Sequence, residues 1–171
     1  SFAPALCNRQ RASAVAVLAA GYAKEGKMCR HNIGYWKRVP YLGFGVGAAS
    51  LWKEKRWSNI RDRRQYVALW KEHKPREASR MIRENMQMIS VREAQEETFF
   101  LGLRMMEGVS ESRFEDTFGC AIEDVYGKEL KKLEADGFVQ REGGRIFLTD
   151  RGIDISNTVM TWFLQDEEEE E

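Results

Sequence analysis

Cysteine is scarce in this chain of 171 residues: Cys7, Cys29 and Cys120 are the only three, and no two of them form a CxxC pair. That excludes a disulfide-built scaffold and fits reduced thiols in a cytoplasmic protein. Long hydrophobic runs are missing as well. The longest, Ala14 to Ala20, falls far short of the about 20 apolar residues a membrane helix needs, so no membrane span is expected. The sequences CxxxCxxC, HExxH, GxxxxGK[ST] and GxSxG are all absent, so the chain holds no complete catalytic centre of a familiar kind. As it stands it does not read as an enzyme.

What is present is enough for a folded protein. Apolar residues make up 43% and charged residues 32%, which argues against wholesale disorder. The length gives room for one ordinary domain or two small ones. A formal net charge of zero conceals a division: residues 1–89 hold 18 Lys and Arg against 6 Asp and Glu, and residues 90–171 hold 9 against 21. The first part is therefore at +12 and the second at −12. Two units that attract each other, or a basic unit meeting an anionic partner, would account for such a split. The last six residues, Asp166 to Glu171, are all acidic and read as a solvated tail.

Local signals place the elements. Ala12 to Ala20 is competent to form a helix, with Gly21 as its C-cap. Val39 to Ser50 reads VPYLGFGVGAAS, the pattern of a short buried strand whose end lies close to a ligand or to another backbone. A helix is predicted over residues 61–73 and is stopped by Pro75, and residues 75–89 read as a linker. From Ser90 the signals agree with one another. Ser90-Val91-Arg92-Glu93 is a capping box. It opens a helix to about Met105, and Gly108 closes that segment. Ser110 caps a helix over Glu111 to Phe118, ended by Gly119; a third helix runs from about Ala121 to Asp136. Residues 138–141 and 145–148 form a β-hairpin around Glu142-Gly143-Gly144, and Thr149 caps a closing helix. This order of three helices, a hairpin wing and a closing helix predicts an α+β fold with a winged-helix-like C-terminal domain. Residues 90–164 are expected to fold alone, and residues 1–89 are not, because the apolar run at 41–49 has no evident strand partner.

Three constellations bear on function. In His31-Asn32-Ile33-Gly34-Tyr35-Trp36 a histidine sits among aromatics, with Lys27, Arg30, Lys37 and Arg38 nearby. These parts suit a flat anionic ligand: an imidazole for iron, rings for stacking and cations for carboxylates. They suit equally a turn whose aromatics pack on a neighbouring strand. The run Gly43-Phe44-Gly45-Val46-Gly47-Ala48 is only loosely like a nucleotide loop, since no helix or acidic partner follows at the required spacing; it reads either as a strand end approached by a cofactor or as a structural strand. The third predicted helix carries Lys128, Lys131 and Lys132 against five acids, a net of −2 that would repel phosphates. Nucleic acid is not an expected partner, and a protein-interaction module is the alternative reading.

Taken together, HNIGYW, YLGFGVGAAS, Glu96-Glu97 leading into FLGLRMMEGV (100–109), RFEDTFG (113–119) and LTDRGIDISNTV (148–159) resemble the C-terminal part of the radical-SAM heme chaperone HemW family, also described as oxygen-independent coproporphyrinogen III oxidase-like. The resemblance runs from about Gly21 to Leu164. It implies a C-terminal portion of a chaperone that binds heme and passes it to an acceptor hemoprotein. The family's [4Fe-4S] cluster and S-adenosylmethionine belong to an N-terminal half that this sequence does not contain. It implies His31 as the heme-binding and metal-ligating residue, Tyr35 and Trp36 as its aromatic companions, and Gly45, Gly47 and Ala48 as cofactor-binding. It further implies that residues 1–58 are the end of a partial (β/α) radical-SAM barrel, 59–89 a helical linker, 90–166 the HemN C-terminal type of domain and 167–171 an acidic tail. One family strand, reading like Tyr-Glu-Ile-Ser-Asn-Phe-Ala, is missing after Gly21-Tyr22, so the chain is expected to be a fragment, a frameshifted product or a decayed copy.

Overall fold

A computed structural model describes residues 30–164. The predicted helix at 12–20, Cys7, Cys29 and the acidic tail lie outside the described residues. The described part divides into two compact units, one of residues 39–94 and one that combines residues up to Arg38 with those from Gln95 onward. No described helix is long and apolar enough to cross a membrane.

The unit of residues 39–94 is built on a three-stranded antiparallel sheet in the order β1 (Ala49–Trp52), β2 (Lys55–Asn59), β3 (Arg83–Met88). Lys53 and Glu54, both at positive φ, make the turn between β1 and β2. Two helices, α2 (Arg63–Glu72) and α3 (Pro75–Met81), bridge β2 and β3. Asp62 caps α2 by accepting from the Gln65 N–H at 2.8 Å. Leu51, Trp57, Ile60, Ala78 and Ile82 are buried and form the unit's interior. The β2–β3 ladder is interrupted: Arg56 faces Gln87 and Ser58 faces Glu84, so Asn85 and Met86 bulge out.

Several expectations change here. Residues 39–50 do not form a buried strand. Tyr41 makes one isolated bridge to Leu51, the chain then loops, and Phe44 is 90% exposed. The expected close approach to another backbone is met at Gly43, where a Cβ would lie 2.2 Å from the Ala49 carbonyl oxygen, while Gly45 and Gly47, both at positive φ, shape a loop in place of a strand. Pro75 does not stop α2, which already ends before His73; it opens α3, where its missing N–H would have had no helical partner. The segment 75–89 is no linker, because β3 is the third strand of the sheet. Residues 39–94 thus have a sheet of their own, and the run at 41–49, expected to lack a strand partner, meets β1 through the bridge from Tyr41 to Leu51.

The second unit contains a short helix α1 (Arg30–Trp36), most of α4 (Val91–Gly102), then β4 (Val109–Ser110), α5 (Glu111–Phe118), α6 (Ile122–Ala135), β5 (Val139–Glu142), β6 (Arg145–Leu148), α7 (Asp150–Asp154) and α8 (Ser156–Thr161). The strands make an antiparallel sheet in the order β4-β6-β5. Local chemistry fixes the element ends as the sequence predicts. The Ser90 N–H donates to Glu93 at 2.6 Å and the Glu93 N–H donates back to Ser90 Oγ at 3.2 Å. Ser110 Oγ accepts from the Arg113 N–H, and Gly119 ends α5 in the left-handed region. Phe99 stacks on Phe163 at 4.7 Å and meets Tyr126 at 4.5 Å and Phe114 at 5.7 Å. This cluster of four buried rings ties α4, α5 and α6 to the segment that follows α8, and burial of such large side chains is the main stabilising term. Two boundaries differ from expectation. The first helix stops at Gly102, three residues early; a Cβ at that position would meet the Val109 side chain at 2.6 Å, so β4 can approach it only because it is glycine. The closing helix is two pieces, broken at Ile155.

Candidate functional site

Helix α1 is seven residues long and contains the whole HNIGYW motif. His31 and Tyr35 are four residues apart and so share one helix face. Their rings meet edge to face, centroids 4.7 Å apart and planes at 86°. His31 is exposed, Tyr35 is 38% exposed and Trp36 is half-buried. The helix therefore presents an accessible imidazole braced by a ring, which is open to a flat ligand from the solvent side.

The helix ends in an unusual way. The Lys37 N–H donates to the Ile33 carbonyl at 2.9 Å and the Arg38 N–H to the Tyr35 carbonyl at 3.0 Å. Arg38 then takes φ 50°, a left-handed conformation that favours glycine. Its Nε donates to Glu97 Oε2 at 3.0 Å. Lys37 Nζ lies 2.6 Å from Glu107 Oε1, and Arg113 Nη2 donates to the Lys37 carbonyl at 2.8 Å. Sequence reasoning listed Lys37 and Arg38 as loose cations for a ligand. Both have carboxylate partners 59 or more positions away, and local spacing carries no signal of such pairs.

Gly45, Gly47 and Ala48 belong to the other unit, in the loop between Tyr41 and β1. Gly45 has φ 103° and Gly47 φ 67°. Asn59, buried to 4% exposure, holds this loop: its Nδ2 donates to the Gly45 carbonyl at 2.8 Å and its own N–H donates to the Ala48 carbonyl at 2.9 Å. The Gly47 N–H donates to the Ile60 carbonyl at 3.0 Å, and the Gly43 N–H donates to Ser50 Oγ at 3.0 Å. Asn59 escaped the sequence reading, because a lone polar residue at a strand end has no recognisable pattern. Leu42, Phe44 and Val46 alternate along the loop with their side chains exposed.

On the hairpin, Arg141 pairs with three carboxylates, Glu111 at 3.3 Å, Glu134 at 2.6 Å and Glu123. The Glu123 carboxyl is held below its ordinary value chiefly by its hydrogen bond from Arg141. Arg145 donates to the Glu107 carbonyl at 3.2 Å. Among the described residues, no group of three or more His, Cys, Asp or Glu side chains could hold a metal ion. The described residues therefore do not fit an iron–sulfur cluster. A heme iron can be held by one imidazole, and His31, exposed on α1, is a residue of that kind.

Residues 89–155 match the family model described as the HemN C-terminal domain. The chain is 32% identical over 138 residues to a heme chaperone HemW of Lactococcus lactis, covering 81% of this chain and 34% of that protein. It is 30% identical over 143 residues to a heme chaperone HemW of Bacillus subtilis, covering 84% and 36%. It thus spans about a third of the length of these curated relatives. Among solved structures it is similar to coproporphyrinogen III oxidase (HemN) from Escherichia coli, described as a radical SAM enzyme. The TM-score is 0.52 at 19% identity over 71% of this chain and 27% of that one, a likeness of fold.

Proposed function

The chain carries a HemN C-terminal domain and is homologous to the HemW heme chaperones over most of its length, and from that premise we propose that it is the C-terminal portion of a heme chaperone, binding heme through His31 for delivery to an acceptor hemoprotein. The observation that carries this reading is the exposed His31 ring braced edge to face by Tyr35 at 4.7 Å, inside a motif on its own short helix. His31 would supply the nitrogen that holds the iron. Tyr35 and Trp36 would contact the porphyrin edge or face, where aromatic area and a flat ligand match. Gly45, Gly47 and Ala48 would let a cofactor approach the backbone of the glycine loop. Heme brings its own iron chemistry; the residues of this chain bind and orient it and catalyse nothing. The [4Fe-4S] cluster and S-adenosylmethionine belong in this reading to the remaining two-thirds of a full-length relative.

The helix order and the β4-β6-β5 sheet support reading residues 90–164 as a winged helix. Both wing arginines are engaged by oxygen acceptors of the protein itself. That favours a docking or scaffolding role for this domain over contact with nucleic-acid phosphates. The reading of residues 1–58 as a barrel end rests on the family resemblance alone.

Titration of the purified chain with hemin tests the proposal. A saturable, red-shifted Soret band that His31→Ala abolishes is the expected result. A flat titration of the unmodified chain would overturn it.

A further inference from the structure

The end of α1 poses a question of its own: why an arginine stands where the backbone asks for glycine. A seven-residue helix cannot hold itself together in water, since isolated helices shorter than about 12 residues are marginal. Its shape and direction must come from what its end is attached to. Arg38, at φ 50°, is strained relative to a relaxed backbone. Such a conformation persists where the surroundings over-determine it, and here they do. The Arg38 side chain is 9% exposed and its partner Glu97 27% exposed, so this charge pair is largely withdrawn from water. Lys37, one position before, is gripped at both its ammonium and its carbonyl, by Glu107 and Arg113 respectively. Glycine would meet the backbone requirement without strain but would bring no guanidinium. The residue present serves the ion pair at the expense of the backbone.

We propose that Arg38 and Glu97 are positioning residues for His31, a latch through which the HemN C-terminal domain fixes the short helix that presents the imidazole. The inference rests on the heme reading above and adds to it the route by which that domain takes part: α4 contributes Glu97, the turn after it Glu107 and α5 Arg113. Arg38 is three residues beyond Tyr35 in the chain, so loss of the pair frees the last turn of α1, and with it the ring that braces His31. Residues that orient a metal-bound histidine typically change metal affinity by about 10- to 100-fold.

The test uses the full chain with four variants, His31→Ala, Arg38→Gly, Glu97→Gln and the reciprocal exchange Arg38→Glu with Glu97→Arg. Two readouts are taken, hemin titration and amide hydrogen exchange across residues 31–38 without hemin. Arg38→Gly relieves the backbone while removing the latch, so the domain's unfolding midpoint should hold. Exchange over residues 33–38 should accelerate, and hemin affinity should fall by about 10- to 100-fold with a shifted Soret maximum at saturation. Glu97→Gln should do the same, and the exchange variant should recover at least part of both. Wild-type exchange in Arg38→Gly and Glu97→Gln would overturn the latch. So would accelerated exchange with undiminished hemin affinity, provided His31→Ala abolishes binding. If His31→Ala binds hemin as the wild type does, the heme reading itself falls, and the exchange data still decide whether the latch exists.

Discussion

The side-chain amide of Asn59 donates to the carbonyl of Gly45 at 2.8 Å across 14 positions of sequence. This bond, with a longer one at 3.4 Å to the Gly43 carbonyl, gives the glycine loop its shape. Asn59→Ala leaves the Gly45 carbonyl without this donor, and such losses cost about 1–3 kcal/mol. The expected outcome is a lower urea midpoint and faster proteolytic cutting near Phe44. Unchanged cutting would show that the loop holds itself.

The four-ring cluster predicts a large effect at one position. Phe99 is fully buried and touches Phe114, Tyr126 and Phe163. Phe99→Ala should destabilise by about 3–5 kcal/mol, a substantial part of a small domain's total. Chemical denaturation followed by near-ultraviolet circular dichroism reads it directly. A loss under 1 kcal/mol would mean the rings repack around the void.

Two glycines separate backbone strain from collision. Gly108 and Gly119 both have positive φ, 65° and 71°. A Cβ on Gly108 would lie 2.1 Å from the Ile146 carbonyl oxygen, whereas one on Gly119 would meet nothing within 4 Å. Gly119→Ala should cost about 1–2 kcal/mol, the left-handed penalty alone. Gly108→Ala should cost clearly more, because β4 must also shift away from β6. Equal losses in thermal denaturation would contradict this account.

The Arg141 cluster predicts a pH signature. Its hydrogen bond lowers the Glu123 carboxyl from its ordinary value of 4.5 in the folded protein. A depressed folded value stabilises above the unfolded value, and that contribution is lost as pH falls through the folded one. The stability difference between the wild type and Arg141→Gln should therefore be present at pH 7 and shrink below about 4.5. Salt should reduce it, because Glu123 is half exposed. A difference independent of pH would assign Arg141 a packing role only.

Legibility followed the range of the forces. Caps act over three residues, and Ser90 with Glu93, Ser110 with Arg113, and the Gly143-Gly144 turn could be read without a structure. Most element ends after Ser90 are spelled out in such local signals, whereas β4 and the break at Ile155 are not. Strand β3 could not be read: Arg-Glu-Asn-Met-Gln-Met is exposed at all six positions, so no alternation marks it, and only pairing with β2 makes it a strand. At the candidate site the chemistry of His31 was visible as a motif. The attachment of its helix was not, because Glu97 is 59 residues from Arg38; nor, in the other unit, was the anchor of the glycine loop, because Asn59 is 14 residues from Gly45.

The bulge at Asn85 and Met86 also decides how this sheet meets other molecules. Strand β3 lies at the rim of its sheet, and among the described residues its outer side carries no further strand. An unbroken rim bearing Met86 and Met88 would be a template on which a second molecule could add a strand, the first step toward fibrils. With Asn85 at φ 53° and the register interrupted between Arg56 and Ser58, the rim is cut into two short stretches, and Arg83 and Glu84 put charge on one of them. An interrupted, charged rim of this kind is a poorer template for strand addition than a straight one.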